Sequence, residues 1–146
     1  MGSSVVLEEL RLTNFRNYGS QEISLGQGVF FIAGPNGAGK TNLVEGVYVL
    51  GHGRSWRPGG HRALIGPRGH LAGVAGWIRS WDANGDRAAS PARLSVRIED
   101  RVSITIDSRP TQWRQAWKTL PVVAFTPEDL ALVKEGGEAR REWLDS

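Results

Sequence analysis

Gly34, Gly39, Lys40 and Thr41 stand at the spacing G-x-x-x-x-G-K-T, with a further glycine, Gly37, inside the loop. These residue types in this order suit one chemistry, the binding of a polyphosphate. Glycines let the backbone of Gly34, Pro35, Asn36, Gly37, Ala38 and Gly39 turn with its N–H groups pointing inward. Lys40 brings a cation toward the β- and γ-phosphates, and the Thr41 hydroxyl can ligate Mg²⁺. Asn42 then opens a helix whose positive dipole end adds to the hold on the same anion. Gly34 to Asn42 are therefore the expected nucleotide contacts, with Thr41 the expected metal ligand. A chance glycine-rich turn is the competing reading in a chain with 19 glycines. The order of strand, loop and helix argues against it.

Two elements must position this loop. Ahead of it, Val29 to Ala33 is an unbroken apolar run, which predicts a strand buried in a mostly parallel sheet. Behind it, Leu43, Val47 and Leu50 fall on one helical stripe, with Val44 and Tyr48 beside it. Gly46 weakens that helix, and Gly51 with Gly53 marks its end. Upstream, Val5 to Thr13 reads as a strand of mixed alternation. Asn14 to Tyr18, a short strand near Glu22 to Leu25 and a Gly26-Gln27-Gly28 turn follow. Arg16, just before the loop strand, is a candidate to return to the adenine or a phosphate; a solvated turn arginine fits equally well.

The 146 residues, 40 % apolar and 23 % charged, suffice for one globular domain with a core. No run approaches the roughly 18 apolar residues of a membrane span. The two glutamates before Leu10 stand where a signal peptide would be apolar and argue against one, and Val6 stands where myristoylation wants Ser or Thr. The absence of cysteine removes disulfides and thiolate metal sites and is compatible with a reducing cytosol. A net charge of +3 and a pI near 9.8 suggest an anionic partner, nucleic acid being the usual one. All but three of the 18 basic residues are arginine, which fits bidentate phosphate contacts and fits a GC-rich genome as well.

Between Glu45 and Asp82 there is no acidic residue, while Arg54, Arg57, Arg62, Arg68 and Arg79 and all three histidines fall in that span. Its glycine-rich centre, Gly53 to Gly60, interleaves arginines with Trp56, a composition suited to phosphate contacts and base stacking. Arg54, Arg57 and Arg62 are the candidate DNA contacts; a solvated basic loop is the alternative. The histidines lack the spacing and the carboxylate of a metal site. Beyond a strand Ala72 to Arg79 and a turn Asp82 to Asp86, Leu94, Val96, Ile98 and Val102, Ile104, Ile106 alternate. They predict an antiparallel hairpin turning at Glu99-Asp100-Arg101. A short helix, Gln112 to Lys118, with Trp113 and Trp117 set for a core, a buried strand Val122 to Phe125 and a capped helix start at Thr126-Pro127-Glu128-Asp129 complete the pattern. Glycines 136 and 137 stop that helix, a last one carries Arg140 and Arg141, and the abrupt end at Ser146 reads as a truncation.

Hydrolysis needs a carboxylate on another buried strand to hold Mg²⁺ and a group to position water. Asp107 is the best candidate, but Ser103 and Thr105 give its strand a polar face unlike a covered parallel strand. Capping already explains Glu128 and Asp129.

Several of these segments together carry a resemblance: Leu10-x-Leu12-x-Asn14-Phe15-Arg16-Asn17-Tyr18, the loop extended to Asn42-Leu43-x-Glu45, Gly53-Arg54-Ser55, Thr126 to Asp129, and Arg140-Arg141-x-x-Leu144-Asp145. Over nearly the whole chain they resemble the N-terminal part of the bacterial RecF family. The resemblance implies an α/β P-loop fold, the N-terminal lobe of an ABC-type ATPase head of the SMC-like branch, with a mixed or antiparallel β-subdomain. Residues 1–51 would be the P-loop unit, 52–110 the β-subdomain with its basic loop, and 111–146 the start of a helical lobe. It further implies ATP and Mg²⁺ as cofactors and an ATP-dependent homodimer. The DNA partners would be single strands, linear duplexes and gap junctions, and the protein partners RecR and RecO in recombinase loading. The location would be the cytoplasm. The Walker B carboxylates and the signature motif of that family would lie beyond residue 146, and the glutamine such heads place near Mg²⁺ is missing from Thr126 to Asp129. The expectation is a DNA-repair ATPase whose present chain binds ATP but hydrolyses it poorly. A small-molecule kinase, a GTPase (no N/T-K-x-D element is present) and a non-catalytic DNA-binding module are the alternatives.

Overall fold

The computed structural model describes residues 4–81, 86 and 90–126. The helix start at Thr126 to Asp129 beyond its first residue, the last helix, and all of the 82–86 turn but Asp86 lie outside them. Six strands form one antiparallel sheet in the order β2-β1-β3-β4-β5-β6. They are β1 (Ser4–Phe15), β2 (Tyr18–Ser24), β3 (Ala72–Trp81), β4 (Ala92–Ile98), β5 (Val102–Ile106) and β6 (Arg109–Pro110). Among the described residues two helices, α1 (Lys40–His52) and α2 (Trp113–Thr119), pack on one face, and a 3₁₀ turn spans His61–Leu64. Strands from both sides of residue 51 thus share a single sheet.

Alternation explains the packing. Leu10 and Leu12 of β1, Val74 and Ile78 of β3, Leu94, Val96 and Ile98 of β4, and Ile104 of β5 turn inward and are buried, meeting Val49 and Leu50 of α1. The mixed alternation in the first strand has a cause: a bulge between Leu7 and Glu9 shifts the register by one residue, so Leu7 and Leu10 both face the core. Gly46 lets α1 come close, since a Cβ there would lie 2.7 Å from Leu12 Cδ2. Buried Asn14, at a φ of 44°, accepts from the Arg68 N–H at 3.0 Å and donates to the Leu71 carbonyl at 2.7 Å, pinning the end of the basic loop to β1.

The expected hairpin of β4 and β5 is present, with Leu94 opposite Ile106 and Ile98 opposite Val102. Two expected strands are not. Val29 to Ala33 is irregular, with Val29 82 % and Phe31 91 % exposed, and Val122 to Phe125 is also irregular, with Phe125 75 % exposed. Neither segment joins a ladder among the described residues, although both line one apolar cleft with Ile23 and Ser24 of β2. The six-stranded sheet instead covers the other flank of α1. Of the two tryptophans expected in the core, Trp113 packs against it while Trp117 stays half exposed.

Candidate phosphate-binding site

The loop takes the form its glycines allow. Gly37 and Gly39 have φ of 82° and 98°, and Gly39 is the N-cap of α1 with no side chain to cap the helix. The N–H groups of the first turn of a helix have no acceptors within it, so this end presents donors and a positive dipole to an anion. Lys40 folds back over the loop, its Nζ donating to the carbonyls of Gly34 at 2.6 Å and Pro35 at 2.7 Å. The exposed Thr41 stands next in the helix. Gly34 to Asn42 are thereby brought together as one site. Uncapped donors, a lysine within the loop and a free-standing hydroxyl fit a polyphosphate with its cation.

The turn that joins β1 to β2 braces the loop from below. Asn17 lies against Gly39, where a Cβ would come 2.6 Å from its amide. Tyr18 Oη donates to the Gly39 carbonyl at 3.2 Å, and Asn42 Nδ2 donates to Asn17 Oδ1 at 2.8 Å.

One turn further along α1, Glu45 is fully buried and ion-paired. Arg16 meets it with two bonds, Nε to Oε2 at 2.9 Å and Nη2 to Oε1 at 2.7 Å, and also donates to the Ala63 carbonyl at 2.8 Å. Arg57 comes from the basic loop to the same carboxylate through Nε at 3.1 Å and through Nη2, which also donates to Asn42 Oδ1 at 2.6 Å. The Ser55 hydroxyl completes the set. Burial alone would raise the Glu45 carboxyl, but hydrogen bonds from Arg16, Arg57 and Ser55 outweigh it and hold the group at about 2. This carboxylate stays ionised and ties the first hairpin, the loop helix and the basic loop into one unit.

The candidate arginines therefore divide. Arg16, expected at the nucleotide, has its guanidinium committed to Glu45 and Ala63. Arg57 lies beside Lys40 and Thr41 on the wall of a cleft of about 600 Å³ that Ile32, Val44, Trp56 and residues 123–126 also line. Arg54 is exposed, and Arg62 reaches the equally exposed Asp100 at 3.4 Å. Asp107 sits in the two-residue turn between β5 and β6 at a φ of 48°, its carboxylate accepting the Arg93 N–H at 2.8 Å. Sequence reasoning assigned no role to Asn17, Tyr18, Glu45 or Ser55. One signal was available for Glu45: it is the last acid before the long basic run and so the nearest anion for those arginines.

A P-loop heading a helix laid on an antiparallel sheet defines the class, the N-terminal lobe of an ABC-type ATPase head. The sequence profile of the RecF/RecN/SMC N terminal domain matches residues 6–131. The chain belongs to the RecF/RecN/SMC N-terminal domain family. It is 35 % identical to the DNA replication and repair protein RecF of Idiomarina loihiensis, over 95 % of this chain and 37 % of that protein. The RecF of Limosilactobacillus fermentum is also 35 % identical, over 97 % of this chain and 36 % of its own length. The chain thus spans little more than a third of the curated relatives it matches. A solved structure of the recombination mediator protein RecF-ATPrS in the RecFOR pathway superimposes with a TM-score of 0.80 at 27 % identity, covering 97 % of this chain and 37 % of that one. These likenesses bear out the resemblance to the N-terminal part of RecF.

Proposed function

We propose that this chain is the ATP-binding lobe of a RecF-type DNA replication and repair ATPase. The observation that carries the reading is the uncapped, glycine-turned N-terminus of α1 with Lys40 folded into the loop before it. The likeness to the solved structures of RecF-ATP and RecF-ATPrS supports ATP as the nucleotide. In this reading the amides of Gly34 to Lys40 hold the phosphates and Lys40 exchanges its two carbonyls for phosphate oxygens. Thr41 takes the Mg²⁺ that offsets the phosphate charge, Asn42 and Asn17 fix the loop, and Arg16 acts through Glu45 as a positioning residue. Arg54 and Arg62 face DNA, at single strands, duplex ends and gap junctions, while Arg57 stays with Glu45 and Asn42 on the wall of the nucleotide cleft. The whole protein pairs two heads around ATP and works in the cytoplasm beside RecR and RecO in recombinase loading; the RecFOR pathway named for the solved relative supports those partners.

The test is a titration of the chain with a fluorescent ATP analogue beside Lys40→Ala. Removing the loop cation is expected to weaken binding at least tenfold, about 1.4 kcal/mol or more, with negligible ATP turnover in both proteins. Equal binding in the variant would sink the reading, and turnover at the rate of a complete head would show that a carboxylate of this chain completes the site.

A further inference from the structure

The face of the sheet turned away from α1 carries a second feature, on the strands that bear no loop residue. A shallow trough of about 370 Å³ runs across β1, β3, β4 and β5. Its floor includes the small residues Gly73 and Ala75, and its walls carry Arg11, Arg93 and Arg97 with the hydroxyls of Thr13, Ser95, Ser103, Thr105 and Ser108. Among the described residues no carboxylate lines it. Alternation puts these polar side chains on one face because Leu94, Val96 and Ile98 occupy the other.

Two of the guanidiniums are held in place by an aromatic ring. Trp77 of β3 is approached by Arg11 at 4.9 Å and by Arg93 at 5.2 Å, one from each neighbouring strand. Arg93 has no carboxylate partner among the described residues. Arg11 leans on Glu9 and Glu22 and Arg97 on Glu99, all outside the trough. Those pairs are largely exposed, and such pairs contribute about 0–1 kcal/mol, so exchanging a carboxylate for a phosphate costs little. Arg93 and Arg97 are four residues apart on one strand, roughly 13 Å, and Arg11 stands two strands away, roughly 10 Å. Cations spread that widely suit a chain of phosphates better than one anion, and the hydroxyls between them are donors to phosphate and sugar oxygens.

We propose that this trough binds the phosphodiester backbone of nucleic acid, on the opposite side of the sheet from the nucleotide loop. The inference rests on the DNA-binding reading above and adds a surface to it, separate from Arg54 and Arg62.

The experiment is fluorescence anisotropy of the whole chain with a labelled 30-nucleotide thymidine strand and a 30-base-pair duplex, across roughly 50–200 mM salt. The proteins are the wild type, the double variant Arg93→Gln with Arg97→Gln, and Ser103→Glu, which puts a carboxylate at the exposed rim. Both variants should weaken binding at least tenfold, and the double variant should flatten the slope of log affinity against log salt by about 1.5. Binding of the ATP analogue should stay unchanged in both, which reports that they fold. Affinity within twofold of wild type overturns the trough. If Arg54→Gln with Arg62→Gln then abolishes DNA binding, the broader reading stands and only the trough falls. A wild-type chain that binds neither DNA overturns both. Labelled polyglutamate binding more tightly than DNA, and lost in the same variants, overturns the assignment in favour of an acidic protein segment.

Discussion

The Asn42 side chain donates to the Asn17 side-chain oxygen at 2.8 Å, tying the turn that closes the first hairpin to the first turn of the loop helix. The same Asn17 amide fills the space beside Gly39. The shape of the loop is therefore set in part by a residue 22 positions before Gly39.

Asn17→Ala should weaken binding of the ATP analogue about fivefold, the effect of one net hydrogen bond of about 1 kcal/mol, with little change in melting temperature. Gly39→Ala should be far worse, because Gly39 has a φ of 98° and the new Cβ meets Asn17. We expect no measurable binding from it. Wild-type affinity in Gly39→Ala would mean that the loop reshapes freely and that the brace is irrelevant.

Glu45 gives stability a defined dependence on acid. Its pKa falls from 4.5 to about 2 on folding, so the folded form binds fewer protons than the unfolded form between those values. The contribution is full above about pH 4.5 and is lost as the pH drops toward 2. It amounts to about 3 kcal/mol from that shift. Urea midpoints measured at pH 7, 4 and 3 should fall in that order. Glu45→Gln should lower the midpoint at pH 7, since removing one partner of a buried pair costs roughly 3–5 kcal/mol, and should flatten the acid dependence. Equal acid sensitivity in the variant would assign the effect to other carboxylates.

The far end of α1 is fixed by Gly53, at a φ of 70°, whose N–H bonds to the Val49 carbonyl at 2.7 Å. The Trp113 indole of α2 lies over it, and a Cβ there would come 2.2 Å from the ring. Gly53→Ala should cost about 1–3 kcal/mol and displace Trp113. A chemical denaturation curve followed by tryptophan emission would read both, and an unchanged midpoint would mean that the helices are not packed through this contact.

Leu12 is fully buried between the sheet and Gly46. Leu12→Ala should lower stability by about 2–5 kcal/mol while leaving the loop chemistry intact, so saturating ATP analogue should raise the melting temperatures of the variant and the wild type alike. Failure of the nucleotide to protect the variant would show that the loop loses its shape with the core.

Much of this architecture was legible in the chain because it is local. The loop spacing fixes strand-side glycines, lysine and helix start within eleven residues, and the β4–β5 hairpin shows its period directly. The Glu45 cluster was not legible, because Arg16 and Arg57 lie 29 and 12 residues away and no spacing rule joins them. Val29 to Ala33 and Val122 to Phe125 misled for another reason. An apolar run says that a segment seeks cover, and whether it becomes a strand depends on a neighbour that the run itself does not encode. The outward trough was hidden as well, since serines and arginines alternating with leucines read only as a solvated face.

The bulge at Glu8 makes the first strand a phase-shifted sentence. Before it, the odd-numbered Val5 and Leu7 face the core; after it, the even-numbered Leu10 and Leu12 do. The Glu8 carbonyl accepts from Leu25 and its carboxylate grips Arg79 with two bonds of 2.8 Å, so the extra residue is anchored on both sides. A replacement at position 8 should cost the carboxylate bonds to Arg79 but keep the register, whereas loss of the residue itself should not be tolerated. Closing that gap would drag either the N-terminal stretch or the loop-bracing turn out of frame with the sheet, a sensitivity to length rather than to chemistry.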